Sequence, residues 1–128
     1  MATFTPSWTT GGTLHASSSV ATSASATDDL NLVSAGPYYG AHIQIDLDIA
    51  SGSPAGDCTI EVFGSVDGGS NDDTLPMKTL RVPFSATGNK KVSFTVYGVP
   101  FCSVKMSNST GVSVTYVGRY AGLKQASA

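Results

Sequence analysis

The run Ala41-His42-Ile43-Gln44-Ile45-Asp46-Leu47-Asp48-Ile49 alternates apolar and polar residues without a break. Ile43, Ile45, Leu47 and Ile49 fall on one side; His42, Gln44, Asp46 and Asp48 fall on the other. A period of two belongs to a strand with one dry face and one wet face. The rhythm returns in residues 58–66, where even-numbered positions are apolar or glycine, and in 77–84, 91–97, 101–107 and 112–120. Residues 30–33 add a shorter piece. Gly, Pro, Asn and Asp punctuate the runs, at Ser34-Ala35-Gly36-Pro37, Ser51-Gly52-Ser53-Pro54, Asp67-Gly68-Gly69, Gly88-Asn89, Gly98-Val99-Pro100 and Asn108-Ser109-Thr110-Gly111. These are turn formers, set at roughly ten-residue spacing. No segment carries a helical period. The pattern predicts an all-β fold: an antiparallel β-sandwich, jelly-roll-like, of seven to eight strands.

Residues 1–25 read differently. Small and hydroxyl-bearing side chains dominate, as in Ala16-Ser17-Ser18-Ser19-Val20-Ala21-Thr22-Ser23. Such a stretch alone buries too little apolar area to offset its ordering entropy. The organisation expected is an extended N-terminal arm over 1–25, with an edge strand around 14–20, a sandwich over 26–122 and a tail over 123–128. Phe4 and Trp8 are the large aromatics of the arm. Aromatics in a polar arm dock on something, either their own domain or a neighbour. Phe63, Tyr97 and Phe101 fall out of phase with the apolar sides of their strands, which places them on an outer face or under a covering arm. These five residues are the candidate protein interface.

Totals narrow the partners. The chain has 128 residues, enough for one domain and a two-layer core. Charged residues make up 12%, about half the usual share, and the net charge is -2. That balance gives no reason to expect nucleic acid or an anionic membrane as partner. A surface of hydroxyls suits many copies packed side by side, because burying a charge in a contact is costly. No run of about 18 apolar residues marks a spanning helix. The first residues lack a basic start and an apolar stretch, so synthesis and folding in a cytoplasm is the expectation. In a reducing cytoplasm, Cys58 and Cys102 read as two buried thiols; a bridge between core strands is the alternative. Asn108-Ser109-Thr110 matches a glycosylation acceptor but reads as a plain turn.

No residue pattern points to catalysis, a cofactor or a metal. His15 and His42 have neither metal-ligand nor catalytic spacing. A Gly-x-Ser-x-Gly elbow and a phosphate-cradling glycine loop are both missing. Asp67, Asn71, Asp72 and Asp73 supply oxygens in one loop, which a solvated turn with local side-chain-to-backbone bonds explains. Rows of aromatics can also stack sugars, so a carbohydrate-binding module stands as a second reading.

The stretch from Tyr39-Gly40-Ala41-His42-Ile43-Gln44-Ile45 through Ile60-Glu61-Val62-Phe63-Gly64-Ser65-Val66-Asp67-Gly68-Gly69 resembles small virion proteins of tailed bacteriophages. Val99-Pro100-Phe101-Cys102-Ser103-Val104 and the closing Val112-Ser113-Val114-Thr115-Tyr116-Val117 fit the same layout. The resemblance covers most of residues 28–120. It implies a non-enzymatic structural protein present in many copies on the virion. Its expected role is a capsid decoration or cement protein bound to the major capsid protein lattice; a neck, tail or baseplate component is the alternative. The expected partners are the major capsid protein, other virion proteins and further copies of this chain.

Overall fold

The computed structural model describes residues 6–9, 11–33, 38–67 and 73–125. They form nine strands: β1 (Pro6–Trp8), β2 (Gly12–Val20), β3 (Ser25–Asn31), β4 (Gly40–Ile49), β5 (Gly56–Ser65), β6 (Lys78–Phe84), β7 (Gly88–Tyr97), β8 (Phe101–Asn108) and β9 (Val114–Gln125). No helix occurs among the described residues. Two antiparallel sheets make the predicted sandwich. Sheet A runs β1-β9-β4-β7, with β2 also on β9; sheet B runs β3-β8-β5-β6.

Period-two patterning sets which side of each strand is dry. Ile43, Ile45, Leu47 and Ile49 of β4 are fully buried, as are Cys58, Ile60 and Val62 of β5 and Val104 and Met106 of β8. Tyr116 of β9 is the largest fully buried side chain. The alternating residues turn outward, so each sheet has a wet outer face.

Four features differ from the sequence reading. The 25–31 strand begins earlier than residue 30, because Asp28 and Asp29 find partners in the fold (below). Gly88 and Asn89, read as a turn, open β7 opposite Ile49 and Asp48; the turn lies at 85–87. The N-terminal segment, over its described residues, is paired: β2 lies along β9 with two register shifts around His15, and β1 pairs the end of β9. β9 itself runs to Gln125. Backbone hydrogen bonds to a long central strand order a segment with little to bury.

The open side between β6 and β7 is closed by lysines. Lys78 Nζ lies 5.8 Å from the Phe94 ring centroid and Lys90 Nζ 5.0 Å from that of Phe84. Lys90 also donates to the Pro83 carbonyl. Charges and a proline on edge strands block pairing with a foreign strand.

Candidate functional site

Register brings the outlying aromatics to one end of the sandwich. Gly40 stands opposite Tyr97 on β7 and Leu123 on β9, and Leu123 stands opposite Trp8 on β1. Trp8 and Tyr97 therefore lie on one rung of sheet A. Gly40 is required there: a Cβ would come 2.6 Å from the Val96 carbonyl oxygen and 2.8 Å from Tyr97 Cδ1. On β8, Phe101 stands opposite Ser65 and Phe63 opposite Ser103, so the two phenylalanines are diagonal neighbours on the outer face of sheet B. Both are half-buried, whereas Trp8 and Tyr97 are 49% and 62% exposed. The link 98–100 carries the chain from sheet A to sheet B, which puts Tyr97 and Phe101 at the same end but on opposite faces. Phe4 lies outside the described residues.

The same end gathers the exposed apolar side chains of the described residues. Val66 and Leu75 are 73% and 77% exposed. Val33, Tyr39 and Met77 join them beside the strand ends. The 73–77 segment is fixed there by two bonds to β5, Asp73 N–H to the Gly64 carbonyl and Met77 N–H to the Val62 carbonyl. The far end of the sandwich carries small and hydroxyl-bearing turn residues at 21–24, 50–55 and 85–87. The molecule is thus polarised, apolar at one end and polar at the other. Sequence reading singled out four of the aromatics but missed Val66 and Leu75, which lie outside the strands.

A shallow groove crosses the outer face of sheet A. Its volume is about 210 Å³, and Gly11, His42, Gln44, Arg119, Tyr120 and Ala121 line it. Register explains the set: His42 is opposite Ala121, and Gln44 is opposite Arg119. Trp8 stands edge-on to the His42 ring, centroids 6.2 Å apart and planes at 79°. His42 Nδ1 bonds the Thr95 hydroxyl at 2.7 Å. Arg119 lies 3.7 Å from Asp46, which also accepts from Asn89.

His15 has a different task. Its Nδ1 meets Asp28 at 2.7 Å and its Nε2 meets Ser18 Oγ at 2.7 Å. Its ring packs on Tyr116, centroids 4.2 Å apart. The two register shifts of β2 flank His15 and aim its side chain from the edge of sheet A toward β3 at the edge of sheet B. The order Ser-His-Asp is that of a nucleophile, base and orienter, with Ser18 exposed on the edge strand β2. The contact ties the two sheets together. Asp29, the next residue, accepts from Ser103. Burial, aided by Asp28, raises the Tyr116 phenol well above its ordinary value.

Cys58 and Cys102 are free and buried. Cys58 stands opposite Asn108 and Cys102 opposite Gly64. That separation along the β5–β8 pair is roughly 20 Å, far beyond disulfide reach, which rules out the bridge. Burial pushes both thiols up to about 11, with Asp57 beside Cys58 and Asp29 beside Cys102 adding to it. In the acidic loop, Asp67 N–H bonds Ser65 Oγ at 3.3 Å, a local turn contact; Asn71 and Asp72 lie outside the described residues.

No known protein family matches the chain, and no curated protein matches it in sequence. Solved structures do resemble it. A mitogen from Yersinia pseudotuberculosis superposes with a TM-score of 0.51 at 11% identity, over 98% of this chain and 92% of that one. A pilus protein of Bacillus endospore appendages gives 0.48 at 17% identity, over 98% and 90%. A family 35 carbohydrate-binding module from an environmental isolate gives 0.47 at 18% identity, over 84% and 74%. The likeness to the mitogen bears on the fold alone.

Proposed function

We propose that this chain is a non-enzymatic structural protein of a tailed-phage particle. It decorates the shell built by the major capsid protein and docks through the apolar end of its sandwich. The observation that carries this reading is the gathering of exposed Val66, Leu75, Met77, Val33 and Tyr39 at one end. Apolar side chains exposed together mark a contact surface. Each is already partly buried, so covering it on docking contributes less than the roughly 1.5–3 kcal/mol of full burial. The resemblance to small phage virion proteins over most of residues 28–120 supports the choice of partner, and the low charge suits dense packing. Many weak contacts, repeated over a lattice, would reinforce the shell against internal pressure.

The test replaces Val66 and Leu75 together by aspartate. Both side chains are more than two-thirds exposed, so the fold is expected to stand. Particles lacking this chain are mixed with the wild-type or the variant protein and sedimented. Wild-type protein is expected to co-sediment, and the variant to bind at least tenfold more weakly. Equal occupancy by the variant would refute docking by this end. Quantitative mass spectrometry of intact particles separates the locations: copies comparable in number to the shell protein place it on the shell, and a few copies place it on the neck or tail.

A further inference from the structure

The groove on the outer face of sheet A has a composition that the docking end lacks. Most of the surface it exposes is carbon, with the polar ends of His42, Gln44 and Arg119 set around it, and Trp8 stands beside it against the His42 ring. The Gln44 amide is exposed and makes no side-chain bond among the described residues. His42 engages Thr95 through Nδ1, which leaves Nε2 for a ligand. Arg119 is half-exposed, and Asp46 beside it balances its charge. Ala121 and Gly11 keep the floor low.

We propose that this groove is a binding site for a neutral saccharide. One sugar ring lays its C–H face against the Trp8 indole, and its hydroxyls bond the Gln44 amide, His42 Nε2 and the Arg119 guanidinium. Several features select this class of ligand. An apolar lining with a few polar groups around it suits a sugar ring, which has a C–H face and hydroxyls at its rim. The charges are paired, so an anion gains little. The groove lies over central strands β4 and β9, where no free backbone edge could add a peptide strand. At about 210 Å³ it falls below the roughly 300 Å³ of drug-sized pockets, so it holds a single ring with the rest of the chain in solvent. Such a site is weak alone and gains by multiplication. It goes beyond docking in a particle, since a decoration protein could dock with this groove facing outward.

Trp8 is the only tryptophan of the chain, so the protein's tryptophan emission reports on this site directly. The purified full chain is titrated with a panel of neutral polysaccharides (glucans, mannans, galactans and xylans), with polygalacturonate and alginate as acidic comparators. At least one neutral member is expected to shift the emission to the blue and shield Trp8 from acrylamide. The Gln44→Ala and Arg119→Ala double variant keeps the reporter and is expected to lose at least tenfold in affinity, with an unchanged melting temperature. A panel without any neutral hit overturns the proposal, as does binding by acidic polymers alone or undiminished binding by the double variant. The Val66 and Leu75 aspartate variant should bind saccharide normally, so loss of docking and loss of sugar binding are read separately.

Discussion

Asn108 bears more of the structure than its place in a turn suggests. It is 1% exposed, and each of its polar atoms is engaged. Nδ2 donates to the carbonyls of Val20 at 2.9 Å and Val112 at 2.8 Å. Oδ1 accepts from the Thr110 N–H at 3.0 Å and hydroxyl at 2.7 Å. One side chain thus joins the end of β2, the end of β8 and the approach to β9. Replacing it by alanine would leave several buried groups unpaired, each costing about 1–3 kcal/mol. Asn108→Ala is expected to lower stability by about 3 kcal/mol in urea unfolding, and a loss below about 1 kcal/mol would contradict this role. The burial also removes this asparagine as a glycan acceptor in the folded chain. Tyr116 presents the opposite case. Its hydroxyl is buried without a hydrogen-bond partner among the described residues. Burying an unpaired hydroxyl is unfavourable, so Tyr116→Phe should keep or raise the melting temperature. A clear drop would show that the hydroxyl has a partner in solution.

The strands were legible where one face is dry and one is wet. β4 was read to within one residue, because a slip by one would turn all five of its buried apolar side chains to water. The even-numbered face of β5 was equally plain. β2 was harder, since its Ala16, Ser17, Ser18 and Ser19 are all exposed and carry no period. Its place is set by backbone pairing with β9, which leaves no trace in side-chain pattern. The two register shifts around His15 answer to Asp28 on another strand, and a contact between sheets cannot be read from local sequence. The candidate interface was legible in part. Being out of phase correctly set Tyr97, Phe63 and Phe101 on outer faces. Which face each takes depends on the crossing at 98–100, and sequence phase does not reveal that. The groove escaped entirely, because it exists only where β4 and β9 bring His42 beside Ala121 and Gln44 beside Arg119.

At the scale of the whole molecule, the core should respond to alkali. Cys58 and Cys102 ionise near 9 by ordinary chemistry and near 11 in the fold. Between those values the unfolded chain has released thiol protons that the folded chain still holds. Stability therefore falls as pH rises wherever the unfolded state binds fewer protons. The contribution is complete below about pH 9 and gone above about pH 11, on the order of 2 kcal/mol for each thiol. Tyr116, raised in the same direction, extends the decline to higher pH. Urea unfolding followed at pH 8, 9, 10 and 11 should show the unfolding free energy dropping steadily over this range, with the two thiols together contributing roughly their sum. The Cys58→Ala and Cys102→Ala double variant will be less stable at pH 8, since it opens space in a packed core. Its curve between pH 9 and 11 should nevertheless be flatter than that of the wild type. Parallel curves would mean that neither thiol is shielded from water as the sandwich requires, and the two sheets would then not be closed over β5 and β8.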